Sequence, residues 1–187
     1  TDLDGADRTL APGELAVAEA IPPGARPALV LLTVKSAATA DAARALGAAL
    51  PPGTLVVSMQ NGASNAAIAH QAAPSLRVLP GMVPFNVAEL APGHFHRGTG
   101  GILAAQDDPA LRPWVAFFAA AGLPLELHPD LRGIQWAKLL INLNNPVNAL
   151  SGLPLRRQLL ERDFRICVAA LNSRNIDAVV SAIAKVL

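Results

Sequence analysis

Two unbroken apolar runs constrain this chain most: Ala28-Leu29-Val30-Leu31-Leu32-Thr33-Val34 and Thr54-Leu55-Val56-Val57-Ser58-Met59. Neither alternates apolar with polar side chains, so each reads as a short strand covered on both faces, the pattern of a parallel sheet. A helix is expected over Thr39 to Leu50, ended by Pro51-Pro52-Gly53, and another over Asn65 to Gln71. Strand, helix, strand, helix in that order predicts a doubly wound α/β sheet. Ligands in such sheets lie outside the carboxyl ends of the strands, where Lys35 and Asn61 stand.

The first 24 residues are polar and rich in turn formers, which predicts loops and short strands. Further strands are expected over Arg77 to Val83, His94 to Leu103 and Leu123 to Leu127, with a helix over Pro109 to Ala121. Thr99 and Gly100 read as a hairpin or bulge. His128-Pro129-Asp130 reads as a linker, dividing the chain into an α/β domain of residues 1–128 and an all-helical domain of 129–187. In the helical part, Lys138, Asn142 and Asn145 recur at i, i+4 and i+7, so one continuous helix would carry all three on one face before Pro146 bends it. An ammonium and two amides among Leu139, Leu140, Ile141 and Leu143 need polar partners, which a ligand can supply.

Charge and composition remove several alternatives. The formal net charge is +1 and the basic residues are scattered, unlike the concentrated footprint of a nucleic-acid binder. No apolar stretch is long enough to span a membrane and no signal peptide opens the chain, so a soluble, cytoplasmic protein with no membrane partner is expected. Cys167 is the lone cysteine, in the apolar run Ile166 to Leu171, and reads as a buried, inert thiol. His94 and His96 share a strand face but lack a matching cysteine or acidic pair, so no metal site is expected.

Four segments in order carry a resemblance: Leu31-Leu32-Thr33-Val34-Lys35; Ser58-Met59-Gln60-Asn61-Gly62; the Gly81 segment running on to Gly98-Thr99-Gly100; and Trp136-Ala137-Lys138-Leu139-Leu140-Ile141-Asn142 with Asn145-Pro146 beyond. Together they resemble the ketopantoate reductase (2-dehydropantoate 2-reductase) family. The resemblance implies a Rossmann-like domain followed by a helical substrate domain, each present in part. It implies NADPH as cofactor, with NADH open, and a small 2-keto acid as substrate, the product being pantoate. By the same resemblance Lys138 is the proton donor, Asn142 and Asn145 (or Asn144) hold the substrate, and Asn61 and Lys35 lie beside the nicotinamide and its ribose. The family's glycine-rich pyrophosphate loop and its later Gly-Arg…Thr-Glu…Leu-Asn-Gly stretch have no counterpart here, Leu171-Asn172 being at most an echo. The sequence therefore reads as the middle and C-terminal part of such a reductase, with Asn175 to Leu187 matching its closing helix. Two alternatives stand beside it: a reductase of another small 2-keto acid, or a truncated, non-catalytic protein keeping part of the fold. Monomer and homodimer are both open.

Overall fold

The computed structural model describes residues 1–11 and 13–184, with side chains described through Ser173. Contacts divide it into two compact units, Thr1–Leu131 and Arg132–Leu187.

The first unit is built on a five-stranded sheet. Its strands are β1 (Val30–Leu32), β2 (Leu55–Ser58), β3 (Arg77–Met82), β6 (Leu103–Gln106) and β7 (Leu125–His128), adjacent in that order. The helices of this unit are α1 (Thr39–Ala49), α2 (Asn65–Ala72) and α3 (Trp114–Ala120). All four residues of β2 are buried, because this strand has neighbours on both sides and side chains packed on both faces. β1 and β2 are parallel, with Val30 opposite Val56 and Leu32 opposite Ser58, so their carboxyl ends lie side by side. β2 and β3 continue the parallel arrangement.

One face of the sheet carries Leu32, Val56 and Leu76 against Ala43, Leu50, Ala69 and Ala73 around α1 and α2. Small residues bring these two helices together: a Cβ on Gly47 would lie 2.9 Å from the Cβ of Ala73. Val57, Met59, Leu79, Leu103, Ala105, Leu111 and Leu125 form the other layer, with Trp114 and Phe118 of α3 packed against it. At the far end of the sheet, Arg77 donates from Nε and Nη2 to Oδ2 of Asp108, at 3.0 and 2.7 Å.

The structure departs from the sequence expectations in several places. β1 is shorter than the apolar run and lies at the sheet margin, so Leu31 stays 44% exposed instead of being covered on both faces. The expected strand from His94 to Leu103 is two elements. His94–Arg97 (β5) pairs antiparallel with Val87–Ala91 (β4) as a separate hairpin, and β6 follows it. The chain leaves that hairpin reversed, so β6 runs antiparallel to β3 and the sheet is mixed. At the hairpin's base Asn86 N donates to Thr99 Oγ1 at 2.8 Å. No strand forms among the described residues before Val30.

The second unit is helical: α4 (Arg132–Asn142), α5 (Asn144–Ser151), α6 (Leu155–Leu160) and α7 (Arg162–Ala184). The break comes at Leu143, earlier than Pro146 alone suggests. Pro146 has no N–H to give Asn142 O, so the i→i−4 ladder cannot run through it, and it sits in the first turn of α5 where no such bond is needed. Leu143 N instead reaches both Leu139 O and Leu140 O, at 3.1 and 3.2 Å, closing α4. The expected closing helix is present as backbone to Ala184; residues 185–187 and the side chains from 174 on lie outside the described residues. Cys167 on α7 is exposed, not buried, because the apolar run around it turns only some of its residues inward. No helix among the described residues is long and apolar enough to cross a membrane.

Candidate functional site

Lys35 and Asn61 follow the neighbouring carboxyl ends of β1 and β2. Lys35 has an extended backbone (φ −63°, ψ 147°), and its carbonyl accepts from Ala38 N at 2.8 Å, starting the short 3-10 turn Ser36–Ala38 that leads into α1. Asn61 opens the loop to α2, and Gly62 after it takes φ +102°, a conformation in which a side chain would be strained. Both residues are exposed. Among the described residues neither the Lys35 ammonium nor the Asn61 amide has a side-chain partner.

Beneath this pair lies a buried polar network. Gln60 donates from Nε2 to Val34 O at 2.7 Å and to Thr39 Oγ1 at 2.8 Å, and its Oε1 accepts from Ser58 Oγ at 2.8 Å. Asn65 donates from Nδ2 to Asn61 O at 2.7 Å and to Ser36 Oγ at 3.0 Å. Thr39 Oγ1 donates to Asn65 Oδ1 at 3.4 Å. Thr39, Ser58, Gln60 and Asn65 are each at most 6% exposed. Sequence reasoning assigned none of these four a role. The available signal was Ser58 and Gln60 two apart at the end of an apolar strand, with Thr39 and Asn65 each opening the helix after a strand.

In the helical unit, Lys138 and Asn142 lie one turn apart on α4, both partly buried. Helix geometry therefore brings these two together. Asn145 is the second residue of α5, beyond the break, so the single continuous face expected for all three does not form as such. Asn145 is exposed, whereas Asn144 is occupied: its Oδ1 accepts from Gln158 Nε2 at 2.9 Å. That distinguishes the two candidates, because the Asn144 oxygen is taken by Gln158 while Asn145 is exposed. Asn142 and Asn145 have no side-chain partner among the described residues. Asn148 donates to Gln158 Oε1 at 2.8 Å and to Leu153 O at 3.0 Å, completing an amide cluster at the α5–α6 corner. The described residues contain no group of three His, Cys, Asp or Glu side chains able to hold a metal ion.

The chemistry of the strand-end pair suits a polar, anionic ligand: an ammonium for phosphate, and an amide that both donates and accepts for hydroxyl or carboxamide groups. On α4 and α5 the ammonium and two amides suit a small acid bearing a carbonyl or hydroxyl oxygen.

Comparisons with known proteins point to one family. The family model described as Ketopantoate reductase PanE/ApbA matches residues 4–108. A 2-dehydropantoate 2-reductase of Halobacterium salinarum is 33% identical over 130 residues, which cover 67% of this chain and 42% of that protein. One from Caulobacter vibrioides is 27% identical over 155 residues, 79% of this chain and 53% of that protein. Among solved structures, a PanE/ApbA family ketopantoate reductase from Ralstonia eutropha superimposes with a TM-score of 0.70 at 33% identity, over 79% of this chain and 49% of that one. The chain thus spans about half the length of the curated relatives it matches. With the family model covering more than half of its 187 residues, and with the parallel strands and their two polar carboxyl ends in place, the chain belongs to the ketopantoate reductase family.

Proposed function

We propose that this protein reduces 2-dehydropantoate to pantoate with NADPH, residues 1–128 serving the nucleotide and 129–187 the keto acid. The observation that carries the reading is the strand-end pair: Lys35 and Asn61, exposed and without side-chain partners, at adjacent carboxyl ends of parallel strands. That donor set fits a nicotinamide nucleotide, Asn61 suiting the carboxamide or ribose hydroxyls and Lys35 the ribose and phosphate.

A reduced nicotinamide, when bound, supplies hydride to the ketone carbon. The protein's own task is the oxygen. Negative charge grows on it as the carbonyl is reduced, and the Lys138 ammonium stabilises that charge and hands over a proton. Asn142, one turn along the same helix, holds the same oxygen end, and Asn145 donates to the carboxylate. Partial burial of Lys138 strengthens these interactions by keeping bulk water from screening them.

The test is the full protein assayed for loss of reduced-nicotinamide absorbance with 2-dehydropantoate. Lys138→Met, which keeps the length and removes the proton, is expected to lower kcat by roughly 10²- to 10⁴-fold with a smaller change in the KM for NADPH. Undiminished turnover in that variant would remove Lys138 as the proton donor. Turnover of another 2-keto acid with none of 2-dehydropantoate would keep the reaction class and replace the substrate.

A further inference from the structure

The network under Lys35 and Asn61 has a feature that loop satisfaction alone does not require: it crosses between loops. Gln60 belongs to the loop after β2, yet both its N–H groups go to the segment after β1, to Val34 O at 2.7 Å and Thr39 Oγ1 at 2.8 Å. Asn65 heads α2, and one of its N–H groups goes back to Asn61 O at 2.7 Å while the other crosses to Ser36 Oγ at 3.0 Å. Thr39 links the two amides, accepting from Gln60 and donating to Asn65. The pinned backbone atoms are the carbonyl of the residue just before Lys35 and the carbonyl of Asn61 itself. Their neighbour Ser36 is tied in as well, donating to Asn61 O at 3.4 Å.

Burying two carboxamides and two hydroxyls at the end of an apolar sheet costs desolvation that apolar side chains would avoid. A buried polar network with its donors used instead specifies one geometry. We propose that Gln60 and Asn65 are positioning residues: they lock the loops after β1 and β2 into a single clamp, fixing the spacing at which Lys35 and Asn61 meet the nicotinamide end of the cofactor. This inference rests on the reductase reading for its ligand, but the coupling of the two loops does not depend on any ligand.

The experiment therefore has two arms, both on the full protein. In the first, amide hydrogen exchange is followed without nucleotide in the parent and in Asn65→Asp, which keeps Oδ1 and loses both N–H donors, the one to Asn61 O and the one that crosses to Ser36 Oγ. Faster exchange is expected at residues 33–38 as well as at 61–64, with the interior of α1 unchanged. Loosening confined to 61–64 would overturn the clamp. In the second arm, KM for NADPH is expected to rise by up to about 100-fold, the scale of a small misplacement, with kcat changed far less. Thr39→Val, isosteric and lacking only the linking hydroxyl, should shift both readouts in the same direction but less. Gln60→His, which retains a ring N–H donor, should recover more of the NADPH affinity than Gln60→Glu. A lowered Tm with unaltered KM in every variant would mean the network is structural only, and would overturn the proposal. Coupled exchange in a protein that uses no nicotinamide nucleotide would sink the reductase reading and with it the cofactor role, leaving the loop coupling as a property of the fold. Nucleotide use without coupled exchange would leave the reductase standing and remove the clamp.

Discussion

Gly81 of β3 lies hard against β2 and the residue after it. A Cβ there would lie 2.7 Å from Met59 Sδ, 3.1 Å from Ser58 O and 3.1 Å from Val57 Cγ1. The methionine can swing aside, but the Ser58 carbonyl belongs to the sheet backbone and cannot. Gly81→Ala is therefore expected to destabilise by about 1–3 kcal/mol, the usual range for overpacking, seen as a lower urea midpoint at unchanged slope. An unchanged midpoint would show that β3 can shift to admit a methyl group. The position bears on the crevice too, because Ser58 also holds Gln60 through its hydroxyl. Asn145 shows residue-scale resolution of a different kind. Sequence spacing favoured Asn145 with Asn144 as the alternative, and one hydrogen bond from Gln158 occupies the Asn144 oxygen.

At the scale of elements, the α5–α6 corner is held by amides in place of an apolar core. Gln158 has no exposed surface and joins Asn144 on one side to Asn148 on the other. Gln158→Leu leaves Asn144 Oδ1 and one Asn148 N–H without their partner, an expected loss of roughly 1–3 kcal/mol by chemical denaturation. A gain in stability would mean that apolar filling outweighs the lost bonds. Elements of this unit were the hardest to place from sequence. A proline at 146 announces a break, but the residue where the helix yields depends on which carbonyls the preceding turn can still satisfy. β2, α1 and α2 were legible because burial on both faces erases polar alternation and because Pro51-Pro52-Gly53 marks a stop. The direction of β6 was not, since it is decided by the β4–β5 hairpin that the chain must first complete. Of the candidate site, the exposed strand-end residues were visible as polar punctuation. The buried network was not, because Thr39 and Asn65 look like ordinary helix openers until their cross-loop partners are seen.

For the whole molecule, the apolar core is unevenly shared. Both hydrophobic clusters, with everything packed against them, are drawn from residues between Ile21 and Leu127. Among the described residues from Arg132 on, Val147 is the buried apolar side chain, while Gln135 and Gln158 are buried polar ones, and Leu150 is 90% exposed. Residues 1–131 expressed alone are thus expected to unfold cooperatively on heating, and residues 132–187 alone to melt without a sharp transition, both followed by circular dichroism. A cooperative melt of the helical piece by itself would show that its amide cluster suffices. The position of β1 at the sheet margin has a further consequence. An open margin is a template on which another extended chain can add, the first step towards aggregation. Here β1 is only three residues long, preceded by Pro27, which offers no N–H, and followed by Lys35, whose charge repels a second copy of itself. Among the described residues this edge is thus a poor template for a further strand. A test of Lys35 in nucleotide binding is therefore cleaner with a polar replacement such as Lys35→Gln than with an apolar one.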